Sequence, residues 1–315
     1  MLSKKIGTVL IHHLRVLTQD FIMSSVTVRS YAKINWTLDV LSRRADGYHE
    51  LRTIFQTVSL HDRLRITETA GDIEVACDDA RVPLGETNLA FKAASLIRRA
   101  AGKSNGACVE IEKRIPVAGG LGGGSSNAAA TLLGLARLWQ IDPADPELIS
   151  IAARLGSDVP FFLLGGTALG IGRGEEVYPL EEVDCPALLL VNSGVGVSTA
   201  DAYARLSRLT TDEPLRIIPF TLNAAKGIHE LPLAASNDLE SVVFAAHPEI
   251  AEVKRKLLEA GARHAVMSGS GGTVFGVFDN LEASERGRLR MRAEGCWAEC
   301  ASAISRPEYR STMFE

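Results

Sequence analysis

The chain has 315 residues, of which 46% are hydrophobic and 23% charged, and its formal net charge is −4. This length predicts two domains with a cleft between them, and the composition is typical of a globular protein. A net negative charge provides no basic field for phosphate backbones, so we expect no nucleic-acid partner. No stretch reaches the roughly 18 apolar residues needed to span a bilayer, so we also expect no membrane partner.

The cysteines and the first residues bear on where the protein resides. The cysteines are scattered and odd in number, without a paired metal-ligand spacing, which predicts reduced thiols in a cytoplasmic protein. Residues 1–22 contain a short apolar run that His12 and His13 interrupt. Three interpretations of this segment stay open: a start placed upstream of a native Met23, a helical extension, or a targeting segment.

The first third of the chain is predicted to be mostly extended. β-Branched and aromatic residues with partial alternation indicate strands. The predicted strands lie at residues 26–41, 51–60, 63–67 and 73–76. Helical spacing of apolar residues then predicts a helix over 88–101, with Thr87 as its cap.

The middle of the chain joins a strand to a helix through a glycine-rich loop. Alternation over 107–112 predicts a half-buried strand, and alanines and leucines after the loop predict a buried helix over 125–139. Asp145 and a following proline start another helix, which Gly156 ends. Similar signals predict strands at 187–191, 264–267 and 273–278 and helices at 200–209 and 249–260.

These elements define a fold class and a domain boundary. Strands and helices intermingle without a regular βαβ period, which favours an α+β fold in two layers over a doubly wound sheet. A Pro- and Glu-rich stretch at 178–185 predicts the boundary, so we expect domains over 23–178 and 179–315.

The glycine-rich loop predicts a phosphate site. Its backbone N–H groups can turn toward one point, and the following helix adds its own free N–H groups and positive dipole end. A flexible loop without a ligand is the alternative, whereas a Walker loop is excluded by the missing Gly-Lys-Ser/Thr ending. The residues predicted to bind a triphosphate are Pro116, Val117, Ala118, Gly119, Gly120, Leu121, Gly122, Gly123, Gly124, Ser125 and Ser126, the two serines offering hydroxyls to phosphate or Mg²⁺.

This loop resembles the nucleotide loop of the GHMP kinases (galactose, homoserine, mevalonate and phosphomevalonate kinases), whose pattern is Pro-x-x-x-Gly-Leu-Gly-x-Ser-Ser-x-Ala. Residues 31–35, Tyr-Ala-Lys-Ile-Asn, and residues 268–275, Ser-Gly-Ser-Gly-Gly-Thr-Val-Phe, resemble the first and third motifs of that family. The resemblance implies a two-domain GHMP kinase fold with an N-terminal ATP-binding domain. It further implies ATP as co-substrate, Mg²⁺, and a monomer or homodimer.

The resemblance also implies two catalytic residues. Residues 155–161, Leu-Gly-Ser-Asp-Val-Pro-Phe, are similar to the family's Leu-Gly-Ala-Asp-Val-Pro-Phe, which makes Asp158 the residue that handles the hydroxyl proton. Lys33 would pair with Asp158 and stabilise charge on the transferring phosphoryl group. On local sequence alone, the favoured interpretation of Asp158 is a turn or cap residue, and that of Lys33 is a solvent-facing lysine on an edge strand. No side chain is singled out as a metal ligand.

Residues 44–51, Arg-Ala-Asp-Gly-Tyr-His-Glu-Leu, resemble a signature of the branch that phosphorylates 4-diphosphocytidyl-2-C-methyl-D-erythritol on its 2-hydroxyl, in the non-mevalonate route to isopentenyl diphosphate. By this resemblance Tyr48 and Tyr203 stack on the cytosine, His49 bonds its edge, and Asn35 contacts the substrate. Core packing is the other interpretation of the tyrosines. A homoserine- or mevalonate-type kinase and a non-catalytic nucleotide-binding regulator remain alternative functions.

Overall fold

The structure of the protein, a computed structural model, describes residues 24–209 and 228–315. The segment 1–22 therefore lies outside the described residues, and its three interpretations stay open. The strands are β1 (Ser25–Arg43), β2 (His49–Thr69), β3 (Ile73–Cys77), β4 (Gly106–Glu112), β5 (Thr167–Gly172), β6 (Glu176–Pro179), β7 (Leu188–Asn192), β8 (Ser236–Asn237), β9 (His264–Met267), β10 (Thr273–Val277) and β11 (Trp297–Ala301). The helices are α1 (Leu89–Ala100), α2 (Gly123–Trp139), α3 (Pro146–Leu155), α4 (Val159–Leu164), α5 (Thr199–Leu209), α6 (Glu240–Ala246), α7 (Pro248–Glu259), α8 (Leu281–Ala293) and α9 (Arg306–Thr312), with a 3₁₀ helix at Ile228–Leu233.

A long antiparallel pair, β1 and β2, forms the centre of the first sheet. Within the described ranges this sheet has seven strands. Five of them lie in the order β3-β4-β2-β1-β8, while β5 pairs with the first half of β2 and β6 pairs with β5. The second half of β2 pairs with β4 instead. The short strand β8 pairs with β1 only at Thr37 and Leu38. At the motif residues 31–35 the free edge of β1 faces the glycine-rich loop instead, where the Lys33 N–H donates to Leu121 O at 3.0 Å.

The first hydrophobic core lies between this sheet and helices α1 to α4. Alternation in β4 buries Ala107, Val109 and Ile111, as the sequence pattern predicts. Helix α2 is buried along most of its length. It approaches the sheet closely, since a Cβ at Gly134 would lie 2.4 Å from Ile66 Cδ1.

The second sheet is antiparallel, in the order β11-β7-β10-β9, and its own core includes residues of α6, α7 and α8. A further apolar cluster joins the two sheets. In this cluster the ring of Trp36 on β1 meets the ring of Phe275 on β10 edge-on, at 5.5 Å between centroids. Packing of this kind fixes β1 relative to the loop that precedes β10.

The C-terminal residues return to the first sheet. Ile304, Tyr309 and Met313 are buried in the first core, and Phe314 forms an antiparallel bridge with Val28. The predicted division at 178/179 stays a prediction, and it separates these last residues in sequence from the core that they complete.

The α+β mixture predicted from the sequence is confirmed, although β5, β6, β8, β11, α4, α6, α8 and α9 were not predicted. Three predicted features also differ locally. The runs at 51–60 and 63–67 form the single strand β2, because β1 pairs with it on both sides of a bulge at Ser59 and Leu60. Asn88, not Thr87, caps α1: its Oδ1 accepts from the Ala90 N–H at 2.7 Å. Helix α2 begins at Gly123, before the predicted Ser125. All of the cysteines are free thiols.

Candidate active site

The glycine-rich loop connects β4 to α2 and is held in place by the loop before β10. Gly120 and Gly122 have φ of 76° and 69°, in the left-handed region that favours glycine. A Cβ at Gly120 would lie 2.2 Å from Ser268 O, and the Ser268 hydroxyl donates to Gly120 O at 3.1 Å. The third motif therefore shapes the first turn of the loop.

The N-terminus of α2 opens onto a cavity. Gly122 precedes the helix without a capping side chain, so the first N–H groups and the positive dipole end are available to an anion. The loop residues that line the cavity are Pro116, Val117, Ala118, Gly119, Gly120, Leu121, Gly122, Gly123, Gly124 and Ser125.

Ser126 corrects the sequence-based expectation. Its side chain is buried, and its hydroxyl lies 2.7 Å from the Ser30 Oγ on β1. Its backbone N–H donates to Gly122 O at 2.8 Å within the helix. Both polar groups are thus engaged inside the protein, which leaves Ser125 as the serine on the cavity wall.

Lys33 and Asp158 meet at the cavity. Lys33 Nζ lies 3.5 Å from Asp158 Oδ2, and the exposed fraction is 4% for the lysine side chain but 32% for the aspartate side chain. Asp158 precedes α4 and makes no side-chain capping bond to it, so the cap interpretation is wrong. The lysine is also not solvent-facing, because Asn35, Asp158 and the Phe55 ring surround its ammonium group.

Asn35 orients the lysine. Its Oδ1 accepts from Lys33 Nζ at 2.7 Å, and its Nδ2 donates to Thr53 Oγ1 at 2.7 Å. The Thr53 hydroxyl in turn donates to the Thr37 carbonyl at 2.6 Å. Asn35 lines the cavity as well, so a role in substrate contact stays a prediction beside this observed role in holding Lys33.

The aromatic residues predicted to read a base lie in the same cavity, in a different arrangement from the one predicted. The rings of His49 and Tyr203 stack at 5.2 Å between centroids with 24° between their planes. The Tyr48 ring is instead covered by the Arg173 guanidinium, 5.0 Å away, and 56% of the Tyr48 residue surface is exposed. The ring that faces Tyr203 is therefore His49, and stacking by Tyr48 stays a prediction.

The surroundings of His49 and Tyr203 shift the pKa values of both side chains. Burial, and secondarily the charge of Arg43, lowers the pKa of His49 below its ordinary value, so its imidazole is neutral at pH 7 and offers one donor and one acceptor. Burial raises the pKa of Tyr203, and the negative charge of Asp158 raises it further. The Tyr203 phenol therefore keeps its proton.

The glycine loop, the Lys33–Asp158 pair and the stacked rings line the same cavity, which has a volume of about 1220 Å³. Sequence reasoning missed several residues of its wall, which no local motif marks. Arg43 and Arg173 lie with the aromatic residues, and Lys113 lies with the helix entrance. Further residues on the wall are Val82, Pro83, Thr87, Asn88 and Leu89.

No cluster of three or more His, Cys, Asp or Glu side chains among the described residues is arranged to hold a metal ion. Nor does any helix within 24–209 or 228–315 have the length and apolarity required to cross a bilayer.

The fold and the cavity are those of a small-molecule kinase, and the chain belongs to the GHMP kinase family. The family model described as GHMP kinases N terminal domain matches residues 88–166, and the one described as GHMP kinases C terminal matches residues 224–295. The 4-diphosphocytidyl-2-C-methyl-D-erythritol kinase of Pelobacter propionicus is 43% identical over 87% of this chain and 97% of its own length. The enzyme of the same name from a Geobacter species is 43% identical over 89% of this chain and 99% of its own.

Solved structures agree with this assignment. A crystal structure of 4-(cytidine 5'-diphospho)-2C-methyl-D-erythritol kinase has a TM-score of 0.72 and 36% identity, covering 88% of this chain and 99% of its own. Homoserine kinase from Cytophaga hutchinsonii has a TM-score of 0.65 at 18% identity, covering 90% of this chain and 95% of its own. That second similarity concerns the fold alone.

Proposed function

We propose that this chain transfers the γ-phosphoryl group of ATP to the 2-hydroxyl of 4-diphosphocytidyl-2-C-methyl-D-erythritol, giving the 2-phosphate and ADP. The observation that carries the proposal is the shared cavity, in which a glycine loop, a buried lysine–aspartate pair and a stacked imidazole–phenol pair lie together. The names of the relatives that are similar over most of the chain support the choice of substrate.

The glycine loop provides the phosphate contacts. Its backbone approaches the cavity without Cβ atoms at Gly119, Gly120 and Gly122 to Gly124, so N–H groups can reach phosphate oxygens directly. The positive end of α2 adds a favourable field for the triphosphate. Positioning the γ-phosphoryl group in line with the acceptor hydroxyl supplies much of the acceleration in such reactions.

Asp158 and Lys33 act on the acceptor. The Asp158 carboxylate is partly exposed and accepts the proton of the 2-hydroxyl as the new P–O bond forms and ADP leaves. The Lys33 ammonium pairs with the carboxylate and stabilises negative charge on the transferring group. Asn35 fixes the direction of the ammonium through its 2.7 Å bond.

Mg²⁺ fits this cavity as a companion of the nucleotide. The ion usually binds one or two protein oxygens together with substrate phosphates and keeps several waters. The Asp158 carboxylate and the Ser125 hydroxyl are oxygen donors on the cavity wall. When bound, the ion would neutralise charge on the β- and γ-phosphates.

The part of the cavity around His49 and Tyr203 suits the cytidine group of the proposed acceptor. A neutral His49 can donate to or accept from the edge of cytosine, and the Tyr203 phenol ring offers a stacking face. Arg43 and Arg173 supply positive charge to the same part of the wall, which suits a diphosphate.

Identification of the product tests the proposal. The enzyme is incubated with ATP, Mg²⁺ and the diphosphocytidyl substrate, and the product is analysed by mass spectrometry and phosphorus NMR. We expect the substrate to gain one phosphoryl group on the 2-hydroxyl, with one ADP per product, and Asp158→Asn to form it far more slowly. Hydrolysis of ATP without a phosphorylated product, or phosphate on another hydroxyl, would contradict the proposal.

A further inference from the structure

We propose that Asp62 is a positioning residue that sets the glycine-rich loop for ATP, an inference that rests on the proposed function. Asp62 lies on β2 and its side chain is fully buried. Its carboxylate binds three donors from consecutive residues: Lys113 Nζ lies 2.5 Å from Oδ2, and the Arg114 and Ile115 N–H groups each lie 2.8 Å from Oδ1. These residues immediately precede Pro116, the first residue of the loop.

The two carboxylate oxygens have separate roles. Oδ1 accepts both backbone N–H groups and so fixes the chain where it leaves β4. Oδ2 pairs with the Lys113 ammonium, which is itself only 6% exposed. A buried N–H or ammonium without a partner is costly, so the carboxylate determines the conformation of 113–115.

The other end of the loop is held from the neighbouring strand. Ser30 on β1 lies directly opposite Asp62 in the β1–β2 pairing. Its hydroxyl lies 2.7 Å from Ser126 Oγ and 2.8 Å from Asn127 Oδ1, both in the first turn of α2. Two adjacent positions of one sheet thus fix both ends of the loop. A loop held at both ends loses little conformational entropy when phosphate binds.

Lys113 connects this arrangement to the cavity. A Cβ at Gly123 would lie 3.0 Å from Lys113 Nζ, so the ammonium sits beside the entrance of α2. Lys113 lines the cavity, whereas Asp62 is buried behind it and acts through the residues that it binds.

A matched pair of double variants separates the loop contact from the ion pair. Both carry Lys113→Met, so no ammonium is left without its partner. Asp62→Asn keeps Oδ1 as an acceptor for the two N–H groups, and Asp62→Ala removes it. Calorimetry measures binding of ATP with Mg²⁺ alone, and separately of the diphosphocytidyl substrate alone, while thermal unfolding reports the folded fraction.

We expect Asp62→Ala/Lys113→Met to bind ATP at least about tenfold more weakly than Asp62→Asn/Lys113→Met, with affinities for the other substrate within about twofold. In turnover assays the difference should appear in the KM for ATP, with the KM for the acceptor unchanged. Equal ATP affinity in the two variants, or equal loss for both ligands, would overturn the role of Asp62. Failure of the wild-type protein to bind ATP would overturn the proposed function, and this inference with it.

Hydrogen exchange on the wild-type protein tests the same contact if the alanine variant does not fold. The amides of Arg114 and Ile115 should exchange only through global unfolding in the absence of ATP. Exchange at the rate of an exposed loop would refute the assignment.

Discussion

Lys33 and Asp158 form an ion pair in unequal environments, an arrangement that suits the catalytic roles proposed for them. The lysine is nearly buried and the aspartate is accessible from the cavity. A buried ammonium needs its partners, and Asn35 and Asp158 provide them. The carboxylate can therefore meet a substrate hydroxyl while the cation stays fixed.

Replacing Asp158 by Asn keeps the size of the side chain and removes its basicity. We expect kcat to fall by roughly 10² to 10⁴, with little change in the KM of either substrate, as for loss of a positioned acid–base group. Lys33→Ala should be comparably slow, and the double variant should lose less than the sum of the single losses. Steady-state kinetics measures all three, and a near wild-type kcat for Asp158→Asn would remove this residue from the mechanism.

The stacked His49 and Tyr203 rings should govern recognition of the acceptor, separately from ATP. If Tyr203 stacks on the base, the contact is worth about 1 to 3 kcal/mol, so Tyr203→Ala should raise the KM of the diphosphocytidyl substrate roughly 5- to 150-fold. His49→Ala should weaken discrimination against the uridine analogue, because a hydrogen-bonding site rejects a mismatched edge. An equal rise in the KM for ATP would show that the cytidine site is wrongly placed.

At the scale of elements, the contact between the glycine loop and the loop 268–272 can be tested by stability. Gly120 has a left-handed φ, and a Cβ there would meet Ser268 O at 2.2 Å and Gly271 O at 2.7 Å. We expect Gly120→Ala to lower the free energy of unfolding by at least about 2 kcal/mol, through strain and displaced backbone.

Gly124→Ala is the matched control in the same segment. A Cβ at Gly124 meets Leu89 Cδ1 at an ordinary 3.8 Å. Gly124 is the second residue of α2, and alanine has a higher helix propensity than glycine. This variant should be neutral or slightly stabilised in urea unfolding. Equal destabilisation of both variants would show that the fit against the third motif is not the cause.

Elements with a local signal were predictable, and elements defined by long-range pairing were not. The alternation of β4 and the glycine-to-helix junction after it lie within a few residues, and both were found with small shifts of their boundaries. The short strand β6 forms by pairing with β5, which itself pairs with β2, more than 100 residues earlier in the chain. Arg173, in the turn between β5 and β6, and Asp62, on β2, were missed for the same reason.

The candidate site was predictable to the extent that motif residues carry it. The resemblance to the GHMP kinases implies that Lys33 pairs with Asp158, and the structure brings their charged groups within 3.5 Å. The sequence did not distinguish Ser125 from Ser126, because only the tertiary contact with Ser30 shows which hydroxyl is buried. Nor did it show that His49 rather than Tyr48 faces Tyr203, since Tyr48 lies in the bend before β2, where the Arg173 guanidinium covers its ring. The roles of these residues, the oligomeric state and the cytoplasmic location remain predictions.

In the whole molecule, the C-terminal residues 304–313 complete the first core, which also contains residues of α4, the helix that Asp158 precedes. Tyr309 on α9 is buried against Tyr31, and its hydroxyl donates to the carbonyl of Phe162 in α4. Tyr309→Ala should lower the free energy of unfolding by about 3 to 5 kcal/mol, as for other buried aromatics. Tyr178→Ala, at a tyrosine that is 50% exposed, should change it by no more than about 0.5 kcal/mol. Similar stability of the two variants in urea would contradict this role of the C-terminus.

Selection of a cytidine-bearing acceptor by this cavity can be measured as the ratio of kcat/KM values for different acceptors. At saturating ATP and Mg²⁺, initial rates are measured for 4-diphosphocytidyl-2-C-methyl-D-erythritol, homoserine and mevalonate. We predict that kcat/KM for the diphosphocytidyl substrate exceeds the others by at least about 10⁴, the discrimination of a site whose polar groups stay unpaired without the right partner. Comparable kcat/KM values, or a preference for homoserine or mevalonate, would contradict the account and reduce the assignment to a GHMP kinase with another acceptor.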